Sequence, residues 1–483
     1  MQTNTSIKSG LFWKLLERFG VQGVQFVLQI VLAWFLSPAH YGVLSMMVIF
    51  TSLANVFINS GLNTALIQRK DVEEDDYSSV FFIMLFLAIG IYVLLFFSAP
   101  LIADFYNMPE IITPFRVLSL VIFPGAFNSI QIAIVSRRLD FKKIFKSNVA
   151  AIVISGIVGI VLAYSNAGLW ALVVQYLLNI TIVAVVMWFS VKWRPKPVLN
   201  FARVKKLFKF GWKLLVSNLL ETLYQDLRSL VIGKKFSAST LGYYNRGKQF
   251  PQFIVSAINS TVQSVMLPVM SEKQDEKSSV KAIARNSISI SSYIMFPMMM
   301  GLAGVAAPLV SLLLTDKWLP CVPYLQIYCF ALAFYPVHSC NLQAINAMGR
   351  SDIFLKLELI KKSYGLAALV IAVIFFKSPI AIAMTGLFTT FISCFVNASP
   401  NKKLIDYSYF EQMQDILPSF LSSLFMFLVV ILIGKLPIGS LGLLALQTVV
   451  GAMVYFAISM IFKFKPFLKC LQLVKSFTNK IKR

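Results

Sequence analysis

Fourteen stretches of this 483-residue chain are each about twenty or more residues long and mainly apolar. Wound as an α-helix, a run of that length matches the hydrocarbon thickness of a bilayer. The runs predict helices over 12–36, 41–68, 78–103, 111–136, 144–164, 168–191, 210–235, 241–270, 279–314, 321–348, 353–376, 380–399, 413–434 and 441–462. The pair at 210–235 and 241–270 is the richest in polar residues. Charged residues make up 13% of the chain, about half the share of a soluble domain. A soluble enzyme, a disordered chain and a fibrous protein are excluded, and the expected fold class is an all-α polytopic membrane protein. Residues 1–11 are polar, and the run behind them is too long for a signal-peptide core and lacks a small-residue cleavage site. The first span is therefore expected to remain in the mature protein.

The net charge of +24 could point to nucleic acid, but its distribution points to a membrane. Of the 44 Lys and Arg residues, 33 fall in one set of alternate loops and the two termini, and five (Lys234, Lys235, Lys317, Lys377, Lys435) in the other set. Cations accumulate on the cytoplasmic side of membrane proteins, so both termini are expected there and no nucleic-acid partner is needed. Residues 199–209 and 463–483 mix cations with Phe and Leu at helical spacing and are expected to lie on anionic lipid. The acidic run Val72 to Tyr77 reads as a solvated loop with no special role.

The chain also repeats itself at an offset of 199–200, drifting to 208–212. Trp13-Lys14-Leu15-Leu16 recurs as Trp212-Lys213-Leu214-Leu215, Ser37 and Gly42 as Ser237 and Gly242, and Ile58-Asn59-Ser60 as Ile258-Asn259-Ser260. Ala99-Pro100-Leu101 recurs as Ala307-Pro308-Leu309. The signal is the collinear order. Six spans per repeat is an even number, so the copies run parallel, related by a pseudo-twofold axis along the membrane normal. The expected division is an N-lobe over 1–198, a C-lobe over 199–405 with an interfacial helix at 199–209, two added spans over 406–462, and a basic tail over 463–483.

Four spans carry polar residues at helical steps of three and four. Span 1 holds Lys14, Arg18, Gln22, Gln25 and Gln29. Span 2 holds Ser52, Asn55, Asn59 and Asn63. Span 7 holds Lys213, Ser217, Glu221, Tyr224 and Arg228, with Asp226 beside them. Span 8 holds Asn245, Gln249, Gln252, Ser256 and Asn259, flanked by Arg246 and Lys248. A charge at the bilayer centre costs about 2.5–3.5 kcal/mol even on insertion scales, so these stripes must face protein or water. They occupy equivalent positions in the two copies and predict a hydrophilic cavity with surplus cation, suited to an anionic ligand such as a phosphate. Arg116 in span 4 either adds to it or pairs with an interfacial phosphate. Interhelical hydrogen bonding explains any single Asn, at about 0.6 kcal/mol, but not the charged members. Glu221 and Asp226 read as neutralising partners of Lys213 and Arg228, or as a site for a coupling H⁺ or Na⁺. Prolines such as Pro124, Pro251, Pro297 and Pro336 fall within or at the ends of spans, where they bend helices.

No Walker A or G-x-S-x-G motif is present. The five cysteines, Cys321, Cys329, Cys340, Cys394 and Cys470, lack metal or redox spacing. The only histidines are His40 and His338. No catalytic residues, metal or cofactor are expected.

Several stretches resemble the polysaccharide transporter family of the multidrug/oligosaccharidyl-lipid/polysaccharide flippase superfamily, especially its colanic-acid and teichuronic-acid type. They are LAWFLSPAHYGVLSM at 32–46, NSGLNTALIQRKDVEEDDYSSVF at 59–81, PFRVLSL at 114–120, RRLDFKK at 137–143 and LVIGKKFSASTLGYYNRGKQFPQF at 230–253. The resemblance implies a protein of the bacterial cytoplasmic membrane that flips polyprenyl-pyrophosphate-linked oligosaccharides. It also implies two six-helix lobes around a cavity lined by spans 1, 2, 7 and 8. On that basis Arg18, Arg228, Arg246 and Lys248 would meet the pyrophosphate or acidic sugars. Polysaccharide polymerases and glycosyltransferases would be functional partners. The competing readings are a multidrug or small-ion antiporter of the same fold, for which an acidic cavity would be expected, and a non-transporting scaffold.

Overall fold

The structure, a computed structural model, describes residues 13, 20–59, 61–69, 71–469 and 472, and only the backbone of 210, 257 and 259–265. Lys14, Arg18, Cys470, residues 473–483 of the basic tail and the side chain of Asn259 thus lie outside the described residues.

Every described element is a helix. The first nine are α1 (Gln22–Phe35), α2 (Pro38–Asn59), α3 (Leu62–Gln68), α4 (Glu74–Tyr106), α5 (Ile112–Ser119), α6 (Ile122–Arg137), α7 (Phe141–Tyr164), α8 (Leu169–Ser190) and α9 (Phe201–Lys235). There follow α10 (Ala238–Glu272), α11 (Lys277–Gly304), α12 (Ala306–Leu314), α13 (Val322–Ala333), α14 (Tyr335–Ala347), α15 (Ser351–Phe375), α16 (Pro379–Ala398), α17 (Asn401–Ile405), α18 (Tyr409–Ile433) and α19 (Ser440–Ile461). Among the described residues, ten helical stretches are long and apolar enough to cross a membrane. The expected spans 1, 7, 8 and 11 are helical too, as α1, α9, α10 and α15, but fall short on described length or on apolarity. In α4 the most apolar window has a mean hydropathy of 3.0, yet only 28% of it is buried. Such a helix turns most of its apolar surface outward, as lipid contact requires.

The chain forms two compact units, Met1–Gly242 and Tyr243–Arg483. This division differs from the one expected at 198/199, because α9 packs along α2, α3 and α4. The expected interfacial helix at 199–209 is the first three turns of α9, and no break separates it from the rest. At 35 residues and about 1.5 Å per residue, α9 is roughly 52 Å long. It outruns a hydrocarbon core of about 30 Å.

In the first unit α7 and α8 form a hairpin whose turn is set by Asn166 (φ 59°) and Gly168 (φ 56°). Span 2 is interrupted where Gly61 takes φ 85°. Gly211 of α9 crosses at this break so closely that a Cβ there would lie 2.6 Å from the Gly61 carbonyl carbon. In the second unit α11 packs on α18, α13 and α14. Asn341, Asn401 and Gln412, all buried, hydrogen-bond at 2.6–3.0 Å to tie α14 and α18 to α17. Four of the expected thiols, Cys321, Cys329, Cys340 and Cys394, are buried.

The sequence repeat has a physical counterpart at the starts of α2 and α10. Ser37 accepts the His40 backbone N–H at 3.4 Å, and Ser237 accepts that of Thr240 at 3.2 Å, so the same N-cap is used twice. One turn on, a Cβ on Gly42 would sit 1.7 Å from the Ala238 carbonyl oxygen, and one on Gly242 would sit 2.1 Å from the Pro38 carbonyl oxygen. Equivalent residues face each other reciprocally, and only glycine fits. Gly42→Ala and Gly242→Ala are each expected to destabilise the protein by roughly 1–3 kcal/mol, the cost of overpacking, read as a lowered Tm in detergent. Gly90→Ala, inside α4 where a Cβ meets nothing within 4 Å, should not lower Tm, since alanine is the better helix former.

Candidate functional site

The polar side chains of α2 and α9 meet within the first unit. The Ser52 hydroxyl donates to Asp226 Oδ2 at 3.3 Å. Asn55 Nδ2 donates to the Thr51 carbonyl at 3.0 Å, and Asn59 Nδ2 to the Asn55 carbonyl at 3.3 Å. These amides use N–H groups on their own helix; the Asn55 Oδ1 lies against Gly125 of α6, where a Cβ would come within 3.1 Å of it, and Asn59 is exposed. On α9, Gln225 Nε2 donates to Glu221 Oε1 at 2.8 Å. Glu221, Tyr224, Asp226 and Arg228 are half-buried, whereas Lys213 and Ser217 are exposed. On α1, Gln22 and Gln29 are half-buried and Gln25 is exposed.

Three expected members sit elsewhere. Asn63 is 7% exposed, because the break at Gly61 starts a separate helix, α3, and turns this residue into the unit. The stripe extrapolated from Ser52 assumes one continuous helix. Arg116 donates from Nε to the Phe96 carbonyl at 3.2 Å and lies over the Phe96 ring at 4.1 Å. It is engaged by α4.

Arg246 is 4% exposed. Its Nη1 donates to Gln249 Oε1 at 2.6 Å, and its guanidinium lies 5.0 Å from the Trp318 ring centroid. The cause is local packing in the second unit. Gly247 brings α10 so close to the turn before α13 that a Cβ there would lie 2.8 Å from the Cys321 carbonyl oxygen. The face carrying Tyr243, Arg246 and Gly247 is pressed inward. Lys248, on the next face, is half-buried, 5.9 Å from the Tyr328 ring. Tyr328 hydrogen-bonds in turn to the Tyr244 hydroxyl. Gln249 is half-buried and Gln252 exposed. A cation over an aromatic face, screened from water, is held more tightly than at an exposed site. Its sequence position beside Asn245 placed Arg246 at the flank of the polar stripe. The aromatic cluster around it is distant in sequence and carried no signal there.

The acidic run read as an idle loop has a defined role. Glu73 and Asp76 form a capping box at the start of α4. Arg203 of α9 reaches back to Glu73 at 2.7 Å and Asp76 at 3.3 Å, and Lys196 to Glu74 at 2.5 Å. Hydrogen bonding to Arg203 holds the Glu73 carboxyl below the usual carboxylate range, so the pair stays charged at neutral pH. The segment before α9 is also fastened through its backbone. The Lys196 N–H donates to Ser78 Oγ at 3.0 Å and the Asn200 N–H to Ser79 Oγ at 2.9 Å. The only sequence signal was the Ser78-Ser79 pair, which recurs 200 residues on as Ser278-Ser279. Ser79→Ala combined with Arg203→Ala should raise the rate of tryptic cleavage after Lys192 several-fold, the bonds after Arg194 and Lys196 being protected by the prolines that follow them. An unchanged rate would show that these contacts do not hold the segment.

A chain of long apolar helices, crossed by a few helices with aligned polar faces, defines the class: a multi-pass membrane protein. Residues 31–323 match the polysaccharide biosynthesis protein family, and the chain belongs to that family. It is 26% identical over 306 residues to the teichuronic acid biosynthesis protein TuaB of Bacillus subtilis, a match covering 63% of each chain. That relative is therefore matched over less than two thirds of its length. The chain is 24% identical to the lipopolysaccharide biosynthesis protein WzxC of Escherichia coli, covering 75% of this chain and 74% of that one. Among solved structures, its fold is that of a lipid II flippase, MurJ, in an inward closed conformation. The TM-score is 0.78 at 16% identity, over 94% of this chain and 98% of the other.

Proposed function

We propose that this protein is a flippase that carries polyprenyl-pyrophosphate-linked oligosaccharide units across the bacterial cytoplasmic membrane for the synthesis of a surface polysaccharide. One observation carries the reading. Helices α9 and α10, at 35 residues each, are long enough to cross a bilayer but are absent from the ten apolar spans. Their polar faces need water or a polar ligand at membrane depth. Family membership supplies the polymer class. The fold shared with a lipid II flippase supports a lipid-linked cargo.

In this reading α1, α9, α10 and α15 cross the membrane with the ten apolar spans, and both termini are cytoplasmic by the distribution of cations. The polar faces of α1, α2 and α9, and separately that of α10, are the surfaces offered to the head group during alternating access. Arg228 and Lys248 are the cations that meet the pyrophosphate or acidic sugars, and Arg18 and Lys14 of the first span are further candidates by sequence alone. Arg246 acts indirectly, by fixing α10 against Trp318. Asp226, held by Ser52, is the candidate site for a coupling H⁺ or Na⁺. Polymerases and glycosyltransferases act before and after this step, and the protein itself makes and breaks no covalent bond.

The test is export in a deletion strain complemented with variants. Arg228→Ala should lower surface polymer about tenfold or more, as expected for losing one charged hydrogen bond of roughly 1.5–3 kcal/mol, while the amount of inserted protein is unchanged. Normal polymer in that variant would refute a cationic passage. Drug hypersensitivity of the deletion strain with intact polymer would favour an antiporter.

A further inference from the structure

We infer that a groove in the first unit holds the hydrocarbon tail of a single-chain lipid phosphate, a docking place for the carrier lipid apart from the head-group passage. The inference rests on the flippase reading for the identity of that lipid. The groove runs between the end of α2, α4 and the first half of α9 and encloses about 420 Å³. Its walls include Phe57, Leu87, Phe208, Trp212 and Leu215, and the one charged residue lining it is Lys205. The sequence of α9 builds one wall directly. Phe201, Lys205, Phe208, Trp212 and Leu215 recur at steps of three and four, so all fall on one face. Phe201, Phe208 and Trp212 are 68%, 50% and 45% exposed. From Phe201 to Leu215 the track is about 21 Å long at the helical rise.

The close crossing of Gly211 on Gly61 gives the groove its depth. With side chains at these positions, α9 would stand off from α2 and α3 and the track would open into a shallow face. The groove also exploits the break in span 2, whose end turns aside at Gly61 and leaves the space that Leu62 and Phe57 border.

Charge selects the occupant. Arg203 is held by Glu73 and Asp76, whereas Lys205, two residues on, has no ion pair among the described residues and sits on the groove face. One apolar track with one cation a single helical turn in from its Phe201 end matches a lipid with one chain and one phosphate group. A glycerophospholipid would leave its second chain outside. Lys205 lies one turn from the Phe201 end of the track, the end that the cation distribution assigns to the cytoplasm, where a polyprenyl-pyrophosphate cargo is loaded.

The full-length protein, reconstituted in nanodiscs of phosphatidylethanolamine and phosphatidylglycerol, can be photolabelled in parallel with two probes. One is a polyprenyl phosphate carrying a diazirine in its chain, the other a phosphatidylglycerol carrying one in an acyl chain. The prenyl probe should label residues 201–215 and 83–87 by peptide mapping. Lys205→Glu and the groove-filling Leu87→Trp should each reduce that labelling several-fold, with the phosphatidylglycerol pattern unchanged. Equal labelling of the groove by both probes, or prenyl labelling that ignores both variants, would overturn the inference. Transport of a prenyl-linked oligosaccharide in proteoliposomes separates the two claims. Transport without groove labelling overturns the groove alone. Groove labelling without transport upholds the groove and overturns the flippase reading.

Discussion

A peptide group in the hydrocarbon core has no water to bond to, and this fixes the rest of the molecule. Each crossing must be a helix that satisfies its own backbone, so the chain spends its length on long helices joined by tight turns. The freedom left lies in what the helix faces carry. Where a face is apolar, lipid solvates it, as along α4, with Leu94 and Phe97 about 70% exposed. Where a face is polar, something other than lipid must meet it. The Ser52–Asp226 contact, the Asn55 and Asn59 amides and the half-buried Arg228 are intelligible only under that rule.

Two kinds of partner answer the polar faces, and they have different uses. Some polar groups are consumed inside the protein. Arg246 lies over Trp318, and Asn341, Gln412 and Asn401 are joined by amide hydrogen bonds. Such groups fix where helices sit, since a buried donor or acceptor left unmet costs about 1–3 kcal/mol. Others stay at least partly exposed, as Arg228, Lys248 and Asn59 do. Only the second kind can reach anything beyond the protein. The distinction is one of packing, and residue type does not reveal it.

That is also where reading the sequence stopped. Helices were legible almost throughout, because a run of twenty apolar residues leaves one solution in lipid. The repeat was legible because Ser37, Gly42, Ser237 and Gly242 sit in equivalent local roles. The polar stripes were legible as faces, since helical spacing determines a face. What each face looks toward was not. Asn63 left its stripe because Gly61 adopts a positive φ, which a glycine permits but does not announce. Arg246 turned inward because Gly247 lets α10 press against a turn some seventy residues later in the chain. The acidic run at Val72 to Tyr77 looked idle because its partners, Lys196 and Arg203, are more than a hundred residues away. Long-range pairing of this kind leaves no periodic trace.

The reciprocal contact of Gly42 and Gly242 bears on the ancestry of the chain. A surface in which one residue meets its own counterpart, and is met by it in return, has the form of an isologous interface between two identical subunits. In such an interface a single glycine would be presented twice, and any change there would strike both sides at once. In this chain the position exists as two residues that mutate independently, yet each glycine stays captive to the carbonyl that opens the other's helix, Ala238 for Gly42 and Pro38 for Gly242.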